Sequence, residues 1–213
     1  MTADAHPVVC RSHLFAPGSN ERVLGKVFDA GADAVVLDLE DAVAPDAKPE
    51  ARRLVAATLS SRINRPGPRV AVRINGVDTE WWRDDLEAVV RPGLHVIRVP
   101  KAESAEQIRA VEEIVTELEA ARGIIAGAIG LVATIETAAG VMAAAEIARA
   151  PRIQAFTFGA ADFLRDIGAD PGSADLATLY ARQHLVVVSR AARIDPPVAP
   201  VYTHVKDPEG LRR

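Results

Sequence analysis

Charged and amide side chains recur where short apolar segments of this chain end. Asp38, Glu40 and Asp41 close or follow Ala34–Leu39, and Arg73 and Asn75 sit at the end of Val70–Ile74. Lys101 follows Val96–Val99 and Pro100, Glu136 follows Leu131–Ile135, and Asp162 comes shortly after Ala155–Phe158 and Gly159. Carboxylates are hard oxygen ligands that suit Mg²⁺, which keeps several waters and takes one or two protein carboxylates plus substrate oxygens. Glu136 and Asp162, on successive segments, form the candidate metal pair. The alternative reading is that Glu136 caps the helix beginning at Thr137 and Asp162 merely starts the next one. Arg73 ends an otherwise apolar segment, where a guanidinium needs an anionic partner. A substrate carboxylate held by its planar fork would serve, and so would a salt bridge to Asp38 or Glu40.

The elements that must position these groups alternate along the chain. Strands are expected at Ser12–Phe15, Ala34–Leu39, Val70–Ile74, Val96–Val99, Leu131–Ile135, Ala155–Phe158 and Val201–Val205. Most are rich in Val, Ile or Phe without polar alternation, as in parallel strands buried on both faces. Helices fall between them. Ser19 or Asn20 caps a helix that Gly31 ends, and Pro49 suits the first turn of a helix running to about Leu59. Ser104 and Gln107 form a capping box ahead of a face made by Ile108, Val111, Val115 and Leu118. An Ala-rich helix runs from Thr137 to Ala150, and Asp175 caps a last long helix ending near Ala192. Strict β–α alternation implies a parallel sheet with right-handed crossovers. In a (β/α)₈ barrel every strand's C-terminal end lies on one rim, whereas an open doubly wound sheet gathers only the ends beside its switch point. Polar residues after so many consecutive strands favour the barrel.

Composition excludes several classes of function. The 213 residues suffice for one domain, with 49% hydrophobic and 25% charged residues, an ordinary globular balance. A net charge of −4 with scattered Lys and Arg gives no footprint for nucleic acid or an anionic membrane. Cys10 is the single cysteine, so no disulfide forms within the chain, and a cytoplasmic home is expected. Residues 1–10 lack a signal-peptide pattern, and the most apolar run, Ile124–Ile135, is too short to span a bilayer. His6, His13, His95, His184 and His204 show no metal-ligand spacing. The chain carries no nucleophile elbow, Walker pattern or dinucleotide fingerprint, and Trp81 and Trp82 read as packing residues.

Taken in order, the segments Arg11-Ser-His-Leu-Phe-Ala-Pro-Gly18, Gly31-Ala-Asp-Ala-Val-Val-Leu-Asp-Leu-Glu-Asp-Ala-Val43, Val72-Arg-Ile-Asn75, Val99-Pro-Lys101 with Glu103, Ile135-Glu136, Gly159-Ala-Ala-Asp162 and Ala181-Arg182 form a pattern. It resembles the citrate lyase β-subunit-like family, within the superfamily that includes 4-hydroxy-2-oxoheptanedioate aldolase, from Arg11 to Leu211. The resemblance implies a (β/α)₈ barrel over residues 1–213 in which Glu136 and Asp162 bind Mg²⁺. It implies that Arg73 holds the carboxylate of an α-keto acid, and that Glu40 and Asp41 orient water or substrate. Arg11 and Lys101 would lie near the mouth of the site, with Lys48 at the phosphates of coenzyme A. The activity implied is carbon–carbon cleavage of a malyl-, citramalyl- or citryl-type thioester. Thioester hydrolysis and a non-catalytic lyase-derived subunit are the alternatives. The related keto-acid aldolases carry a histidine in the loop corresponding to Asp38–Lys48; its absence here favours the thioester branch. Family members continue past the position of Leu211 with an eighth strand and C-terminal helices, so the chain is expected to lack both. A homotrimer, or a multiple of one, is the oligomer the resemblance suggests.

Overall fold

A computed structural model describes residues 10–170, 174–202 and 206–211. Among the described residues six strands alternate with helices: β1 (His13–Pro17), β2 (Ala34–Asp38), β3 (Arg69–Arg73), β4 (Val96–Val99), β5 (Gly130–Ile135) and β6 (Ile153–Phe158). The helices are α1 (Glu21–Leu24), α2 (Lys48–Ser61), α3 (Trp82–Val89), α4 (Ala105–Ala121), α5 (Ala138–Ile147), α6 (Ala160–Asp166), α7 (Ala174–Ala192) and α8 (Pro208–Leu211). The chain divides into two compact units, Met1–Arg98 with Ile114–Gly130, and Val99–Glu113 with Leu131–Arg213.

In the first unit β1, β2, β3 and β4 pair in parallel and in chain order. Every residue of β2 is buried, which is why its sequence shows no polar alternation. The register aligns Pro17 with Asp38, Asp38 with Arg73, and Arg73 with Arg98. One transverse row therefore carries an acid and two guanidinium groups across three neighbouring strands. In the second unit β5 and β6 are likewise parallel, from Leu131 beside Ile153 to Ile135 beside Phe158. Among the described residues neither unit shows the reversal of strand order that marks a doubly wound sheet. The α/β fold is of the parallel, chain-order type expected of a TIM-type architecture.

The helix ends follow local chemistry. Gln107 N–H donates to Ser104 Oγ at 3.3 Å, while Gln107 Oε1 accepts from the Ser104 and Glu103 amides at 3.2 and 2.7 Å, the reciprocal capping box. Ile108, Val111 and Val115 of the expected face are fully buried. The first helix is shorter than expected. Asn20 caps α1, accepting from Val23 N–H at 3.1 Å, but α1 stops before Gly25 and continues as a separate 3₁₀ turn over Val27–Asp29. Glycine inside a helical run is about 1 kcal/mol worse than alanine, which accounts for the break. Asp175 lies inside the first turn of α7 rather than at its cap, where its charge still suits the helix dipole.

The expected seventh strand, Val201–Val205, lies only partly within the described residues. Residues 203–205 lie outside the described set, and Val201 and Tyr202 are not in a strand. Among the described residues, parallel pairing beside β6 occurs as a bridge between Thr157 and Val198. Asp195 N–H donates to Gln154 O and Val198 N–H to Phe156 O, both at 2.8 Å. Pro196, Pro197 and Pro200 have no N–H to give, so the ladder cannot extend.

Where β1 meets β2, Gly18 N–H donates to Asp38 O at 2.7 Å, and a Cβ on Gly18 would lie 2.7 Å from that oxygen and 2.9 Å from Val55 Cγ2. Gly18→Ala should cost about 1–3 kcal/mol. In a chain of this size that is roughly 2–4 °C in thermal midpoint per kcal/mol. An unchanged midpoint would show that the approach of β1 to Asp38 is not a fixed constraint.

Candidate functional site

In the first unit the acidic loop after β2 folds around Arg73. The buried Asp38 carboxylate takes Arg73 Nε and Nη2, both at 2.7 Å, in the two-point geometry that suits a guanidinium. Its oxygens also accept Glu40 N–H at 3.0 Å and Ala42 N–H at 3.1 Å. The remaining guanidinium nitrogen, Nη1, meets Glu40 at 2.8 Å and Asp41 at 3.1 Å. Glu40 is buried, whereas the Asp41 side chain is 58% exposed. Burial works against the charged form of Arg73, but Asp38, Glu40 and Asp41 outweigh it and hold its pKa above the ordinary value. Both expected partners of Arg73, Asp38 and Glu40, are therefore in place, and Asp41 joins them.

Two residues outside the expected set share this neighbourhood. Arg98 in β4 is buried, and its Nη2 lies 2.6 Å from His13 Nδ1 in β1. The guanidinium groups of Arg73 and Arg98 both lie over the Phe15 ring, each 5.4 Å from its centroid. Burial, reinforced by Arg73, pushes the Arg98 pKa down to about 10. Burial and Arg98 push His13 down to about 4, so at neutral pH Nδ1 is the acceptor of an uncharged ring. The signal for Arg98 was present in Val-Ile-Arg-Val, where an arginine interrupts a buried strand.

Beneath the loop lies a second buried layer. Lys48 Nζ donates to Leu39 O at 2.9 Å and to Glu40 O and Val43 O at 3.2 Å, and sits 4.9 Å from the centre of the Trp81 ring. Burial lowers its pKa, against the opposing pull of Asp85, Asp38, Glu40 and Asp41. Asp85, fully buried, accepts from the Asn75 amide at 2.8 Å, Asn75 Nδ2 at 2.7 Å and Arg52 Nε at 2.7 Å. Asn75 Nδ2 also reaches Leu39 O at 3.0 Å.

These positions correct two expectations. Lys48 is not presented to the phosphates of an external ligand, because its three donors serve three loop carbonyls. Arg11 is bound to Asp33, with Nη2 at 3.1 Å from Oδ1, at the end where β1 and β2 begin. A five-residue strand separates it from the Asp38 end by roughly 16 Å. The reason is topological: a residue preceding its strand lies on the opposite rim from residues that follow it.

The second unit holds the candidate metal pair. Glu136 directly follows β5 with 3% exposure, and its Oε1 accepts Lys101 N–H at 2.8 Å. Lys101 adopts a left-handed backbone, φ +47°, a conformation that costs a non-glycine residue of order 1–3 kcal/mol and turns its amide onto the carboxylate. The Lys101 side chain itself is exposed. Gly159 gives the carboxylate room: a Cβ there would lie 2.7 Å from Glu136 Cβ and closer still to Oε2. Thr137 rather than Glu136 caps α5, with Oγ1 accepting Gly140 N–H at 3.1 Å. Asp162, in the first turn of α6, pairs at 2.9 Å with the exposed Arg165, and Asp166 accepts Ala138 N–H at 2.7 Å. Among the described residues no three His, Cys, Asp or Glu side chains form a ready metal cage. Mg²⁺ does not require one, and a buried glutamate with a half-buried aspartate fits its preference for few carboxylates and retained water.

The pattern, fold and site identify the lineage. The chain belongs to the HpcH/HpaI aldolase/citrate lyase family, whose model matches residues 11–213. It is 39% identical over 220 residues to a (3S)-malyl-CoA thioesterase of Cereibacter sphaeroides, covering 100% of this chain and 69% of that protein. It is 38% identical over 185 residues to the citrate lyase subunit beta of Escherichia coli, covering 86% of this chain and 61% of that one. The citrate lyase beta subunit of Mycobacterium tuberculosis, solved with oxaloacetate and magnesium, superposes with a TM-score of 0.74 at 32% identity, over 94% of this chain and 82% of that chain. Among the described residues no helix is long and apolar enough to cross a membrane.

Two measurements probe this geometry. His13 has a folded pKa of about 4 against an ordinary 6.5, so the unfolded chain binds its proton first and stability falls as pH drops from 6.5 towards 4. The thermal midpoint of the wild type should fall across that window, and His13→Gln should flatten the decline; parallel curves would contradict the assignment. Gly159→Ala should displace the Glu136 carboxylate and weaken Mg²⁺ affinity roughly 10- to 100-fold by titration calorimetry. Equal affinity in both proteins would remove Gly159 from the site.

Proposed function

We propose that this protein is a Mg²⁺-dependent lyase that cleaves a β-hydroxyacyl-CoA of malyl or citramalyl type into an acyl-CoA and an α-keto acid. The observation that carries the reading is the buried Glu136 carboxylate, seated against Gly159 with the Lys101 amide on one oxygen, and followed by Asp162 in the first turn of α6. Glu136 and Asp162 would hold the ion. Bound there, Mg²⁺ supplies Lewis acidity to the hydroxyl and keto oxygens of the ligand. In the cleavage the hydroxyl loses its proton and becomes the keto carbonyl. The carbon–carbon pair passes to the α-carbon of the thioester, which is then protonated.

Arg73 takes the carboxylate of the keto-acid half. Asp38 occupies one edge of its guanidinium from within the protein, so the ligand carboxylate binds at Nη1 in place of the exposed Asp41. Glu40, buried beside the same nitrogen, orients substrate or water. The oxaloacetate and magnesium held by the mycobacterial subunit support a keto acid and this ion. The exposed Lys101 ammonium is assigned to the thioester's anionic end. A cytoplasmic homo-oligomer, a trimer or a multiple of one, completes the reading. A second reading, hydrolysis of the thioester, is favoured by the 39% identity to a malyl-CoA thioesterase.

Mass-spectrometric product analysis with malyl-CoA and citramalyl-CoA, in Mg²⁺ and in EDTA, separates the two. Glyoxylate or pyruvate appearing with an acyl-CoA only in Mg²⁺ indicates the lyase; free hydroxy acid with coenzyme A indicates the thioesterase. Glu136→Gln and Asp162→Asn should each lower Mg²⁺-dependent turnover by at least about a hundredfold, the loss of several kcal/mol of charge stabilisation. Full activity in either variant would sink the metal assignment.

A further inference from the structure

Lys48 occupies a position that ordinary rules argue against. It is the first residue of α2, where the positive end of the helix dipole repels a cation. It is also 4% exposed, although lysine is among the residues least often buried. A residue misplaced on both counts is held by what it binds. Its ammonium is the meeting point of the Leu39, Glu40 and Val43 carbonyls and the face of Trp81.

Those carbonyls bracket Glu40 and Asp41. The loop is fixed from its other side by Asp38, whose oxygens take the Glu40 and Ala42 amides, and from below by Asn75 on Leu39 O. Three oxygens converging on one point suit a compact ammonium with three donors. The planar fork of arginine cannot reproduce that arrangement. Asn75 and Arg52 are in turn locked by the buried Asp85, so the support is rigid beneath the loop.

We propose that Lys48 is a positioning residue: through the backbone of residues 39–43 it holds Glu40 and Asp41 against Arg73 and so shapes the edge of that guanidinium that receives a carboxylate. The functional half of this inference rests on the role assigned to Arg73 above.

The test uses the full chain. Lys48→Met keeps the stem and removes the three donors. Its kcat/KM for the Mg²⁺-dependent reaction should fall roughly 10- to 100-fold, as for other residues that orient a site from behind. In a Glu40→Gln, Asp41→Asn background the same substitution should cost almost nothing more, because the lysine acts through those two residues. By hydrogen exchange, the amides of Glu40, Ala42 and Val43 should lose at least about tenfold protection while those of residues 51–61 in α2 keep theirs. General destabilisation would instead move both sets together. Should Lys48→Met not fold, Lys48→Arg is read the same way, with charge kept and three-carbonyl geometry lost. Wild-type kcat/KM, additive losses, or uniform exchange would overturn the proposal. If the wild type turns over neither thioester, the functional reading fails by itself, and the exchange pattern alone then decides whether Lys48 holds the loop.

Discussion

The pairing of Asp38 with Arg73 is the contact from which the first unit's polar architecture follows. A buried carboxylate must have its lone pairs satisfied, and Asp38 does so with two guanidinium donors and two loop amides. The guanidinium donors tie β2 to β3 at the row where the strands end. The amides bend the chain back so that Glu40 and Asp41 return over the same arginine. Removing Asp38 would leave a buried cation facing two remaining acids and would free the loop, a much larger change than losing a surface ion pair.

The neighbouring strand adds tension to that arrangement. Arg98 lies directly beside Arg73 in the register, and two like charges in a buried row repel. Phe15 offers both its π face, His13 accepts from Arg98, and the acidic cluster draws Arg73 the other way. Cation–π contacts of this kind contribute about 0.5–2 kcal/mol each. The outcome is an arginine held on one edge by its own protein, with a more open edge at Asp41.

Much of this was legible in the sequence. The strands β2 to β6 were readable to within two residues because buried parallel strands are short apolar runs bounded by turn and cap residues. The meeting of Arg73 with Glu40 and Asp41 was legible because charge following an apolar run is informative, and Glu136 and Asp162, the proposed metal pair, stood out on the same ground. Lys48 and Arg11 were misplaced for different reasons. Whether a lysine side chain turns inward depends on where carbonyls five to nine residues earlier converge, which no linear pattern encodes. Arg11 was readable in principle, since a residue that precedes its strand lies on the opposite rim from those that follow theirs. Around Val198 the pairing beside β6 is short because Pro196 and Pro200 lack amide hydrogens, while residues 203–205 of the expected seventh strand lie outside the described residues.

Those prolines have a consequence for how firmly the segment beside β6 is held. A strand bonded fully to β6 would be fastened at every second residue along its length. Pro196 and Pro200, two residues either side of Val198 and on the same side of the backbone, carry no amide hydrogen, so the donors to β6 from this stretch are Asp195 and Val198. The segment is thus pinned at points rather than laced along its length.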